Sequence, residues 1–181
     1  MKRWVIVEDR PWVMTRFIQE IWEKAQAEGQ EYLAPDILYY IAGEDEEKRK
    51  VTENNFKKNV NEFEDTTGIQ VHKFNTLNFE EQMEKYYNDG YTIFMDLNLT
   101  GVNAQYFNER NNVQYAREKQ QDCREKNKKE EQIWLYTTGA SLDASFLYSE
   151  FPDNVVEVTN FEDGKAYLDL DTSWELLKDE V

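Results

Sequence analysis

Short apolar runs alternate along the chain with stretches in which apolar residues recur every third or fourth position. Trp4 to Val7, Ile37 to Ala42, Ile69 to Phe74, Tyr91 to Met95 and Ile133 to Tyr136 are rich in β-branched and aromatic residues. Their length and composition predict buried strands. Val155 to Val158 predicts one more. Between the first two runs, Pro11 suits the first turn of a helix, and Trp12, Val13, Phe17, Ile18, Ile21, Trp22 and Ala25 form one apolar stripe ending near Gly29. Gly43 to Thr67 repeats that spacing weakly through Val51, Phe56, Val60 and Phe63, with charged residues between them that predict a solvated helix face. A further helix is predicted from about Asn78, buried through Phe79, Met83, Tyr86 and Tyr87 and stopped by Asn88-Asp89-Gly90.

The pattern weakens after Gly101. From there to Glu131 the apolar positions are Val102, Tyr106, Val113, Tyr115 and Ala116, and Arg117 to Gln132 predicts a long exposed helix or excursion. A short helix is expected over Leu142 to Tyr148, and Asp171-Thr172-Ser173-Trp174-Glu175 carries a capping signal for a terminal helix anchored by Trp174, Leu176 and Leu177. Strands alternating with helices predict an α/β fold, a doubly wound parallel sheet covered on both faces in three layers. With 181 residues and no repeat or linker, the expectation is one domain over 1–181.

Charge narrows the partners. The formal net charge of −16 opposes approach to nucleic acid phosphates or an anionic membrane, so neither is expected as a partner. Lys126, Lys128 and Lys129 are interleaved with acids and read as a solvated helix rather than a basic patch. A single cysteine, Cys123, excludes a disulfide framework and a thiolate cluster, and the single histidine, His72, cannot build a histidine-rich metal site. The amino-terminal apolar run is broken by Glu8 and Asp9, unlike a signal peptide, and no run approaches membrane-spanning length, so the expected location is the cytoplasm.

Three of the predicted strands end in groups that can carry chemistry: Glu8 with Asp9, Asp96, and Thr137. Open α/β sheets place ligands in the crevice beyond their strand ends. Taken alone, Asp96 reads equally well as the cap of a following turn.

VIVEDRP at Val5 to Pro11, IFMDLNL at Ile93 to Leu99 and LYTT at Leu135 to Thr138 together resemble the receiver domain of two-component response regulators. The likeness covers Trp4 to Gly29 and then Ile69 onward, and it implies a flavodoxin-like five-stranded sheet of order 2-1-3-4-5, here with an inserted strand and helix over 30–68. Of the two candidates for that family's second strand, Ile69 to Phe74 is preferred for its nearness to Asp96. The resemblance further implies Mg²⁺ held by Glu8, Asp9, Asp96 and the main-chain carbonyl of Asn98, phosphoryl transfer to Asp96 from a histidine kinase or phosphotransfer protein, and a hydrogen bond from Thr137 to a phosphoryl oxygen. Output would pass to a downstream protein partner, and by analogy a homodimer could form through the last helix and strand. Clustered carboxylates fit this chemistry, because they repel one another unless a hard divalent ion lies between them.

Several positions depart from that family's pattern. Thr159 stands where a lysine pairs with the phosphoryl group, Val156 where an aromatic switch residue is usual, and Thr100 where proline is common; Lys165 follows Thr159 by six residues. The departures leave a second expectation open, a pseudo-receiver that binds a partner without phosphorylation. A third is a phosphatase, because DLNLT at Asp96 to Thr100 also resembles the first motif of haloacid-dehalogenase-like enzymes, with Thr137, Lys165, Asp169 and Asp171 as partners. Against it, Asn98 replaces the motif's second aspartate and so removes the general acid.

Overall fold

The structure, a computed structural model, describes residues 1–8, 11–39, 46–75, 79–96, 118, 119, 121, 122, 125, 133–136, 158–160 and 166–179. Its elements are β1 (Trp4–Glu8), α1 (Pro11–Ala27), β2 (Asp36–Tyr39), α2 (Glu46–Thr67), β3 (His72–Asn75), α3 (Phe79–Asn88), β4 (Thr92–Asp96), β5 (Ile133–Tyr136), β6 (Val158–Asn160), β7 (Ala166–Leu168) and α4 (Leu170–Leu177). Strands β1 to β5 form a sheet in the order β3-β2-β1-β4-β5, and each pairing is parallel.

The register explains why the strand sequences are apolar throughout. Register partners share a face while successive residues alternate, so Trp4, Ile6, Ile37 and Phe94 project to one side. There they join Phe17, Ile18 and Ile21 of α1, Phe56, Val60 and Phe63 of α2, and Trp174 and Leu177 of α4 in one buried cluster. Val5, Val7, Leu38, Ile93 and Met95 project to the other side and are equally buried. Helix α3 covers that side, where the Tyr86 hydroxyl donates to Asp36 Oδ2 at 2.7 Å. Strands buried on both faces have no polar alternation to offer, so their short apolar runs follow from the doubly wound architecture. At the centre of the first face, Trp4 makes edge contacts with Phe17 and Phe94, centroids 5.6 and 6.0 Å apart, and its indole N–H donates to the Leu33 carbonyl at 2.7 Å.

Helix ends match their stop signals. Gly90 takes φ 76° after α3, a left-handed conformation that glycine adopts without steric cost, while Tyr91 N–H returns to the Tyr86 carbonyl at 3.0 Å. Asp169, rather than Asp171, caps α4: its side chain accepts the Thr172 N–H at 2.9 Å. Asp171 lies in the first turn and pairs with Lys24 at 3.1 Å. Starting the helix at Leu170 lets Ser173, Trp174 and Leu177 share its buried side.

Three expectations need correction. The strand beside β1 is β2, and the preferred candidate, which became β3, lies at the sheet edge. A right-handed crossover steps the chain outward by one strand at a time here, and sequence distance to Asp96 does not decide which strand is adjacent to β1. The described end of the last predicted strand does not join the parallel sheet: among the described residues, β6 pairs antiparallel with β7, with Thr159 opposite Tyr167. Val51 is 59% exposed although its spacing fits the apolar stripe of α2. Burial on that helix begins at Phe56, so the described side chains of Glu46–Asn55 have no core beneath them.

Expectations for 155–157, for the helix at 142–148 and for most of 102–131 lie outside the described residues. Within the last segment, 118, 119, 121, 122 and 125 are helical, and Lys119 pairs with Glu84 at 2.5 Å while its ammonium lies 4.8 Å from the centroid of the Tyr87 ring. His72 opens the edge strand, exposed, with Nδ1 3.5 Å from Asp36 Oδ1. Among the described residues, no helix is long and apolar enough to cross a membrane.

The Tyr86 phenol pKa is pushed well above its ordinary value of 10.0, by burial first and then by its bond to Asp36. The folded chain therefore holds this proton more tightly than the unfolded chain, and stability is expected to fall as pH rises above about 10. Urea titrations from pH 8 to 11 should show a shallower alkaline loss in Tyr86→Phe than in the parent, and identical slopes would refute the assignment.

Candidate functional site

Two acidic residues stand side by side where the sheet reverses direction. From β1 the chain steps outward to β2 and β3, then returns through α3 to β4 on the opposite side of β1. The reversal falls between β1 and β4, and a crevice opens beyond the strand ends at such a switch point. Each of these strands ends in an acid. Glu8 closes β1, Asp96 closes β4, and the register that pairs Val7 with Met95 carries Glu8 alongside Asp96. Adjacent strands run about 4.8 Å apart, so the two residues are nearest neighbours across the ladder.

Both project to the face that also carries Trp4, Ile6 and Phe94, because they continue the same alternation. They are buried, at 0% and 1% exposure. Neither is an isolated charge, since each has an interaction partner in the fold. A buried acid at a strand end is costly unless it is hydrogen-bonded, paired or bound to a cation, and two side by side increase that cost. Within the run of buried residues from Trp4 to Glu8, every position but the last is apolar. Core packing therefore accounts for the apolar positions of the strand, and Glu8 is held beside them by its own partner in the fold.

The remaining candidate residues divide between the described and the rest. Asp9, Asn98, Thr137 and Lys165 lie outside the described residues. Tyr136, the residue before Thr137, is the register partner of Asp96. Among the described residues, Thr159 belongs to the two-stranded antiparallel β6-β7 sheet. Asp169 and Asp171 are engaged at the start of α4, one as its cap and one with Lys24.

Oxygen donors suit a hard cation, and Mg²⁺ is commonly held by one or two carboxylates with water and phosphate oxygens completing its shell. Glu8 and Asp96 satisfy that minimum. Among the described residues, no group of three or more His, Cys, Asp or Glu comes together. A second feature, a groove between α1 and α2, has no motif in the sequence that marks it; its polar positions read as ordinary solvated helix face. No protein-family model, curated protein or solved structure matches the chain.

Proposed function

We propose that the chain is an atypical receiver-like signalling domain, which accepts a phosphoryl group on Asp96 in the presence of Mg²⁺ and acts through protein contact. The observation that supports this most is the buried pair of Glu8 and Asp96 at the switch point of the sheet. Deleting β3 from the strand order leaves β2-β1-β4-β5, the first four strands of the flavodoxin-like order with one added edge strand. The same five-strand order also begins the dinucleotide-binding fold. That fold, however, cradles pyrophosphate in a glycine-rich turn after β1, where this chain has Glu8-Asp9-Arg10-Pro11. Two acids and no glycine at that turn would repel a pyrophosphate and attract a cation.

In the proposed reaction a carboxylate oxygen of Asp96 attacks the phosphorus of a phosphohistidine on a histidine kinase or phosphotransfer protein. A new O–P bond forms, the N–P bond breaks, and the departing imidazole nitrogen keeps the electron pair and takes a proton. Bound Mg²⁺ would supply charge neutralisation for the transferred group. Glu8 would help to hold the ion and position Asp96. Cytoplasmic location and a homodimer belong to this reading as well.

One observation favours the pseudo-receiver as a second reading. Thr159 brings no cation to the site, and among the described residues its strand pairs with β7. The phosphatase reading loses ground, because Asp169 and Asp171 serve α4.

The test is incubation with Mg²⁺ and acetyl phosphate, or with beryllofluoride, followed by intact mass and tryptophan fluorescence. An adduct that needs both Mg²⁺ and Asp96, and is lost in Asp96→Asn, is the expected result. Unchanged mass and fluorescence in the parent would leave the pseudo-receiver. Turnover of a simple phosphomonoester that Asp96→Asn abolishes would restore the phosphatase.

A further inference from the structure

Helices α1 and α2 both run from the carboxyl to the amino edge of the sheet, side by side on one face. Between their outer surfaces lies a groove of about 570 Å³. Trp22, partly buried against the core, and Phe63 supply its apolar surface, while Glu20, Glu23 and Glu62 bring carboxylates to both walls. Arg16 also lines it, but its guanidinium is held by Glu20 at 2.8 Å. Three acids against one paired cation leave the groove negative, within a chain whose net charge is −16.

We infer that this groove seats a basic amphipathic helix of a partner protein. Two helices running side by side present an elongated track of the kind into which a third helix packs. An aliphatic side chain of the incoming helix would lie against Trp22 and Phe63. Lys or Arg residues one turn away on either side would face Glu20 and Glu23 on one wall and Glu62 on the other, their methylene stems covering the apolar surface. A cation over the Trp22 ring adds attraction. The field of the whole chain steers such a partner inward, and the groove supplies the specificity that bulk charge lacks. The groove lies along the helices and not at the strand ends, so this inference stands whether or not Asp96 accepts phosphate.

The experiment must separate the groove from general acidity. The full chain would be titrated with an amphipathic peptide of Leu and Lys, about 18 residues long, enough for five helical turns. Two variants lose the same charge: Glu20→Gln with Glu23→Gln and Glu62→Gln in the groove, and Glu46→Gln with Glu47→Gln and Glu53→Gln on α2 outside it. Asn59→Lys, which brings into the groove a positive charge that repels the basic peptide and removes neither partner of the Arg16–Glu20 pair, covers the case in which the triple variant loses helix by circular dichroism. At least a tenfold loss of affinity is expected for either groove variant, against less than a threefold loss for the control triple. Equal losses in groove and control variants, no loss in either, or no binding by the parent chain would each overturn the proposal.

Discussion

Replacing Trp4 by alanine is expected to cost about 3–5 kcal/mol of folding stability, the range for deleting a large buried aromatic side chain. Trp4 is fully buried and touches both Phe17 of α1 and Phe94 of β4, whose rings in turn lie 5.4 Å apart. The indole therefore joins the helix to two adjacent strands. Its loss would open a cavity that two rings, fixed from opposite elements, cannot both move to fill. It would also remove the donor for the Leu33 carbonyl, which orders the connection from α1 to β2. Urea denaturation measures the difference. Trp4→Phe, which keeps most of the volume and loses the N–H, should fall between parent and alanine. A loss of less than about 1.5 kcal/mol for Trp4→Ala would mean that the cluster repacks, and that Trp4 is not its keystone.

The second large effect concerns Glu8. Under the proposed function Glu8→Gln should weaken Mg²⁺ binding by about tenfold to a hundredfold, as loss of one charged oxygen donor from a small carboxylate set would. The substitution keeps the shape of a side chain that is 0% exposed, so the sheet around it should persist. Isothermal titration with Mg²⁺, beside a urea curve for each protein, separates the two consequences. An unchanged affinity together with lowered stability would make Glu8 a hydrogen-bonding part of the core and remove it from the metal set. Because an ion that binds only the folded chain raises its stability by mass action, Mg²⁺ should also raise the melting temperature of the parent more than that of Glu8→Gln.

Where burial alone dictates a residue's character, the chain was readable. The runs seen as β1 and β4 are apolar because both faces of the sheet are covered there, and any other composition would place polar groups in the core. Glu8 and Asp96 were readable for the same reason, as the acids that interrupt those runs at equivalent ends. Strand order was not, because β2 and β3 have similar local signals and differ only in what lies beside them. The cap of α4 shows a finer limit. Asp169 and Asp171 are both good capping residues, and the choice falls to the register that turns Ser173, Trp174 and Leu177 inward together. Val51 failed for the converse reason: periodicity describes which residues share a side of a helix, and it does not reveal how far the sheet beneath extends. Nor does a polar helix face announce a groove, which arises only when two such faces stand side by side.

Helix α2 is continuous in its backbone but not in what holds it together. From Phe56 onward its peptide groups open only if the core opens with them, whereas the described side chains of 46–55 are exposed or, at Glu53, half-buried, and include the surface pair Lys50–Glu46 at 3.1 Å. Amide hydrogens along one unbroken helix should therefore divide into two populations, with rapid exchange near Val51 and exchange near Phe63 as slow as global unfolding. On that expectation the first turns open while the sheet stays intact. A single helix would thus report two stabilities, one sensitive to salt through its surface pairs and the other set by the core.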